Sequence, residues 1–393
     1  MLKNLIIIND FDYVQGGASK VAIQTANMLA EANENLKIFF FSAVHSDEST
    51  LDEKVIKICT NQLEAMKQKN KLKGFINGIY NFKAKKELKK LLSTLNKEET
   101  IIHVHGWTKS LSSSVFDIAF KLKFKIVLTM HDYFTACPNG GYFNYKKNEI
   151  CHLKPLSLKC IKCNCDSRNY FFKLYRILRQ FVQNKIIKLN DKLTDVISIS
   201  DFSEKILRKT LNENTRIHRV FNPIDLDKNI EKADYRKNNY FLYVGRVSRE
   251  KGVDIFCEAV TQSDKNGIVV GDGSELSILK EKYTNINFVG WKNSEEVKKY
   301  MKGAKALIMP SRWYEGAPLT PIEALQYGIP IITSDCNASV DYMTGLNGEK
   351  FNIKKNNLKN ILLNFSNNYK PKIEIKSNYI SDIINTYNNI LDN

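Results

Sequence analysis

The chain has 393 residues, 43% hydrophobic and 26% charged, enough for two domains with real cores and too evenly mixed for large-scale disorder. No apolar run approaches the ~20 residues of a membrane-spanning helix, and the short run in MLKNLIIIND is no signal peptide, so a cytoplasmic protein is expected. The net charge of +17 is uneven: residues 1–200 carry 31 Lys and Arg against 18 Asp and Glu, or +13, leaving +4 for the rest, and no nucleic-acid-binding motif accompanies it.

Along the chain, strands alternate with helices, the pattern of parallel α/β sheets. The first half predicts strands at NLIIIND, LKIFFFSA, TIIHVHG, FKIVLTMHD and DVISIS. The loop VQGGA places Gly16 and Gly17 ahead of the helix SKVAIQTANMLAEA, and His131 stands at the carboxyl end of FKIVLTMHD. Two basic stretches, MKQKNKLKGFINGIYNFKAKKELKKLL and NYFFKLYRILRQFVQNKIIKL, mix Lys and Arg with apolar residues at helical spacing. Such helices suit an anionic membrane surface, making the protein peripheral on the inner face of the cell membrane; the same stripes equally suit core faces with solvated cations outside.

Between them lies an insert, about 137–165, with five of the eight cysteines. In a reducing cytoplasm such a cluster points to metal more than to disulfides. Cys160 and Cys163 have knuckle spacing, and Cys137 and Cys151 complete a tetrahedral thiolate set, so a structural zinc is expected, with free thiols as the plainer reading.

After a polar linker, residues 222–238, the strand pattern restarts with YFLYVG, NGIVVGDG, NINFVG, KALIMP and IPIIT. Ligands bind such folds at the carboxyl ends of the strands. There YVGRVSREKG offers Gly245 followed by Arg246 and Lys251, two cations able to clamp a diphosphate. VVGDGSE offers Gly271 and Asp272, and FVGW offers Gly290, where backbone approaches a ligand closely. RWYEGAPLTPIEALQYG sets Glu315 and Gly316 in a loop and Glu323 early in a helix opened by Pro321. Two carboxylates flanking a helix N-terminus suit a ligand bearing both hydroxyls and phosphates.

In this order, FNPID, YVGRVSREKG, GDGSE, FVGW and SRWYEGAPLTPIEALQYGIPIITSD resemble the nucleotide-sugar half of the family 4 glycosyltransferases, retaining enzymes of bacterial surface-polysaccharide type. The resemblance runs from about residue 17 to 340 and implies a GT-B fold: two doubly wound Rossmann-like domains facing across a cleft. Residues 1–222 would bind acceptor, residues 237–375 would bind donor, and residues 376–393 would form a helix packing back on the first domain.

By resemblance, Glu323 accepts from the donor ribose, Glu315 and His131 face the transferred sugar, and Arg246 with Lys251 neutralises the departing diphosphate. Gly16, Gly17, Ala317, Leu319 and Thr320 approach the phosphates. Pro318 departs from the family pattern and, lacking an N–H, leaves that cradle to its neighbours. No metal is then required for catalysis, and Asp10 and Asp12 in NDFDY read as loop polarity rather than an Asp-x-Asp metal motif.

The implied reaction moves a sugar from a UDP- or GDP-sugar to a glycan or polyprenyl-linked acceptor in capsule, O-antigen or exopolysaccharide synthesis. A GT-B-fold nucleotide-sugar epimerase and a non-catalytic glycan- or membrane-binding protein are the rivals. Base choice would rest on backbone near Gly290 and Trp291.

Overall fold

The computed structural model describes residues 1–224, 230–355, 357–372 and 378–392. Its first strands are runs of Ile and Phe, wholly or largely buried, as strands covered by helices on both faces must be. β1 (Asn4–Ile8), β2 (Lys37–Ser42), β3 (Ile56–Cys59), β4 (Thr100–Val104) and β5 (Lys125–Thr129) precede a small antiparallel hairpin, β6 (Phe143–Asn144) and β7 (Glu149–Ile150), inside the cysteine-bearing insert. β8 (Asp195–Ser198) and β9 (Arg216–Arg219) complete a seven-stranded parallel sheet of order β3-β2-β1-β4-β5-β8-β9. Strand order reverses between β1 and β4, which opens a crevice at their carboxyl ends.

The second domain repeats the plan. β10 (Tyr240–Val244), β11 (Asn266–Val270), β12 (Ile286–Gly290), β13 (Ala304–Met309), β14 (Ile331–Ser334) and β15 (Gly348–Phe351) form a parallel sheet of order β12-β11-β10-β13-β14-β15, with its crevice between β10 and β13. All ten predicted strands are present. β3, β9 and β15 escaped the sequence reading because IKIC, RIHR and GEKF alternate with charged residues and lie at sheet edges. Part of the 222–238 linker, residues 225–229, lies outside the described residues, as do residues 373–377 at the end of the second domain.

The chain then returns to its starting point. The helix Tyr379–Leu391 buries Ile383, Tyr387 and Ile390 against Leu5, Ile7 and Ile101 beneath the first sheet. Tyr387 Oη lies 2.7 Å from His103 Nδ1, and Lys125 Nζ donates to the Ile390 carbonyl at 2.9 Å. Among the described residues, no helix is long and apolar enough to cross a membrane.

Candidate active site

The loops after β10 and β11 are joined by backbone contacts that only glycine permits. Gly271 has φ +140°, and a Cβ there would stand 1.9 Å from the Gly245 carbonyl oxygen. The Gly271 N–H donates to the Gly290 carbonyl at 2.8 Å, and the Val247 N–H to the Asp272 carbonyl at 2.9 Å. Gly245, Gly271, Asp272 and Gly290 are thus brought to one edge of the second sheet, with Trp291 exposed beside them.

Arg246 and Lys251 follow from the same loop and differ in their partners. Arg246 is 58% exposed, and its guanidinium meets Glu250 at 2.6 Å; Glu250 is itself buried and also accepts from Ser248 Oγ. Lys251 is more enclosed. Its ammonium lies 2.5 Å from Glu315 Oε1 and 5.3 Å from the centre of the Trp313 ring.

Glu315 is buried, and Oε1 also takes Ser311 Oγ at 2.9 Å and Trp313 Nε1 at 2.7 Å. Burial alone would push its carboxyl up; the Lys251 ammonium and these donors overcome that and hold it below the usual carboxylate range. The sequence reading had Glu315 in a loop facing sugar hydroxyls; the structure adds that three side chains already hold one of its oxygens.

Glu323 lies in the first turn of the helix Thr320–Gln326, half-buried. Among the described residues its carboxylate has no hydrogen-bond or ion-pair partner, and the N–H groups of Ala317, Leu319 and Thr320 donate to no acceptor. These are the groups free to meet a ligand.

The first domain meets this loop directly. A Cβ on Gly316 would lie 3.3 Å from the His131 carbonyl oxygen, and Ser200 Oγ donates to the Gly316 carbonyl at 2.5 Å. Tyr314 inserts among the rings of Tyr133, Tyr142 and Phe202, at centroid distances of 5.7 to 6.3 Å. His131 therefore shares one cleft with Glu315 and Gly316. Gly16 and Gly17 open the helix Gly17–Ala32 at the carboxyl end of β1, both exposed, and a Cβ at either would meet nothing within 4 Å.

Behind His131 stands a residue the sequence reading passed over. His105 Nδ1 lies 2.9 Å from His131 Nε2, and the His105 ring is 4.1 Å from that of His103. His105 is fully enclosed, and its Nε2 has no partner among the described residues. Burial lowers His131 to about 4 and holds His105 well below the imidazole range, so both rings are neutral at pH 7, one donating to the other. The signal was present in TIIHVHG: two histidines two residues apart at a strand's end share one face.

Asp10 and Asp12 are structural. The Asp10 carboxylate accepts from the N–H groups of Lys109, Ser110 and Leu111, all at 2.8 Å, and Asp12 takes His45 Nδ1 at 2.6 Å.

Among the described residues, no three His, Cys, Asp or Glu side chains, Cys137, Cys151, Cys160 and Cys163 included, are grouped to hold a metal ion. The cysteine insert carries a cation that the spacing could not reveal. Lys173, fully buried, places its ammonium 3.6 Å from Cys160 Sγ, while Asn144 and Asn139 donate to Cys163 and Cys165. The insert also touches the site, since Gly141 packs on the Trp313 ring.

Residues 226–366 match the family model described as glycosyl transferases group 1. Over that stretch the chain is similar to the group 1 glycosyltransferases. It is 30% identical over 175 residues to an uncharacterised glycosyltransferase of Methanocaldococcus jannaschii, covering 42% of this chain and 48% of that one. It is 31% identical over 167 residues to a lipopolysaccharide 1,6-galactosyltransferase of Salmonella typhimurium, covering 39% and 46%. The matches thus span about half the length of these two glycosyltransferases. The lipopolysaccharide outer core galactosyltransferase WaaB superposes with a TM-score of 0.59 over 98% of this chain and 99% of its own at 18% identity, and the fold is GT-B.

Proposed function

We propose that this glycosyltransferase moves a sugar, with retention of anomeric configuration and without a divalent metal, from a nucleoside-diphosphate sugar to a glycan or lipid-linked acceptor of bacterial surface polysaccharide. The observation that carries the reading is the contact of Gly316 with His131: it sets the Lys251–Glu315 pair and the unpartnered Ala317, Leu319 and Thr320 amides against the first-domain crevice.

A departing nucleoside diphosphate gathers negative charge, and preplaced cations aimed at it lower the barrier. Arg246 and Lys251 supply that charge, the free amides receive phosphate oxygens, and Glu323 is available for ribose hydroxyls. With cations in these places no metal ion is needed at the phosphates, and a structural zinc has no role in the step. The acceptor enters from the first domain past Gly16 and His131, carried on a lipid at a membrane surface.

A thermal-shift screen of UDP- and GDP-sugars tests the donor: at 100-fold the dissociation constant a true donor adds ~2.7 kcal/mol. NMR of the product then reads the anomeric configuration, with an α-linked donor giving an α-linked product. Inversion, or loss of activity in EDTA that Mg²⁺ or Mn²⁺ restores, overturns the corresponding part. A new nucleotide sugar formed from donor alone would mean an epimerase.

A further inference from the structure

The helix Tyr170–Phe181 is built inside out. Lys173, Arg179 and Gln180, three of its polar residues, are buried, whereas Phe171, Leu174, Leu178 and Phe181 are exposed. Those four stand at i, i+3, i+7 and i+10, a single stripe along one face. The buried side is held by the first domain. Gln180 Nε2 donates to the Thr135 and Ala136 carbonyls, and Arg179 to those of Thr108 and Pro138, so this face fixes the segment just after His131.

The outer stripe continues onto a second helix, Lys71–Ile79. Leu72 is 69% exposed and Phe171 65%, with Ile76 exposed beside them. Phe75 bridges the two helices, its ring 6.5 Å from that of Phe171 and 5.1 Å from that of Tyr175. Between the helices lies a groove of about 530 Å³, lined by Met66, Leu72, Phe75, Phe171 and Tyr175, with Lys71 at its edge. Contiguous exposed apolar faces are rare on protein surfaces and mark sites of interaction.

Its charge setting selects the occupant. Residues 65–86 hold seven lysines and no Asp or Glu, and residues 167–189 hold six Lys and Arg and again no acid. Lys69, Lys71, Lys73, Arg168 and Lys185 are exposed. The neighbouring helix Phe82–Leu92 does bury its own stripe, Ala84, Leu88 and Leu92, so the core-face reading holds there and fails for the other two.

We propose that the faces of Lys71–Ile79 and Tyr170–Phe181 form a membrane-docking surface for anionic lipid, with Leu72, Ile76, Phe171 and Leu174 entering the headgroup boundary and the lysines meeting lipid phosphates. The surface is the outward side of the helix whose inward side holds the His131 segment, so docking brings the acceptor side of the cleft to the bilayer. It rests on the transferase reading for its purpose only, since its test reads binding without catalysis.

Co-flotation of the full chain with phosphatidylcholine vesicles, with and without phosphatidylglycerol, is the test. Binding to the anionic vesicles, weakened by salt, is expected to fall about tenfold or more in the Leu72→Glu plus Phe171→Glu variant. Both side chains are exposed, so the variant is expected to keep the wild-type melting temperature. A Leu174→Trp variant, assayed separately, should show quenching by brominated lipid. No wild-type binding, equal binding to neutral vesicles, undiminished binding of the double variant, or an unquenched Leu174→Trp overturns the proposal. So does a wild-type dimer that the double variant dissociates, because the face would then serve a second copy of the chain.

Discussion

Lys251 Nζ lies 2.5 Å from Glu315 Oε1, and that oxygen also accepts from Ser311 and Trp313. The pair ties the loop after β10 to the loop after β13 across the second-domain crevice. Lys251 therefore has two tasks, one structural and one toward any bound anion, whereas the largely exposed Arg246 has mainly the second.

Separate measurements on Arg246→Ala and Lys251→Ala distinguish those tasks. Arg246→Ala is expected to lower sugar transfer by about 10²-fold or more and to lower the melting temperature less than Lys251→Ala does, because buried Glu250 keeps Ser248 Oγ as a donor. Lys251→Ala should lower transfer and also cost roughly 2 kcal/mol of stability, because it strands a buried carboxylate. Near-normal turnover in either variant removes that residue from the site; an unshifted melting curve for Lys251→Ala removes the structural task.

Gly271→Ala tests the backbone approach. With φ at +140° and a Cβ 1.9 Å from the Gly245 oxygen, alanine forces the two loops apart. A loss of roughly 3 kcal/mol is expected, together with weakened donor binding. Wild-type affinity and stability would mean that the loops are not held as described.

Burial of three histidines predicts sensitivity to acid. His103 is lowered to about 3 by burial and by the neighbouring His131, His131 to about 4, and His105 also falls well below the ordinary 6.5. The unfolded chain takes up protons that the folded chain refuses, so their contribution is whole above pH 6.5 and is lost as pH falls toward 4. Each contributes a slope of up to about 1.4 kcal/mol per pH unit. Asp132, raised to about 6 by burial, works in the opposite sense with one proton. Thermal unfolding at a series of pH values should show the midpoint dropping below pH 6.5, and His103→Gln should flatten the slope; a flat profile in the wild type contradicts the burial argument.

Tyr387→Phe asks what the returning helix contributes. It keeps the ring in the first-domain core and removes the partner of His103 Nδ1, which is buried and would be left unsatisfied. Urea unfolding should show a loss of about 1–3 kcal/mol. No loss would mean that His103 finds another acceptor or donor.

Ten strands were legible because each is a short apolar run ending in glycine, proline or a polar cluster. The edge strands IKIC, RIHR and GEKF were not, since an edge position needs only one covered face. The residue types of the site were equally legible, as Arg246, Lys251, Glu315 and Glu323 stand at strand ends where ligands gather. Their pairing was hidden: Lys251 and Glu315 are 64 residues apart, and only the folded crevice joins them. Lys173 shows the same limit from the other side. Its place among aromatic residues suggested a solvated cation, yet the fold turns it inward to Cys160.

The return of Tyr379–Leu391 to the first sheet also orders events during synthesis. β1 is made first, yet Leu5 and Ile7 complete their packing only with Ile383, Tyr387 and Ile390, made more than 370 residues later. The second domain, wholly contained between them, has all of its strands available earlier. On the ribosome, the half that starts first is therefore the half that finishes last, and its unfinished face is the stretch most in need of a chaperone during translation.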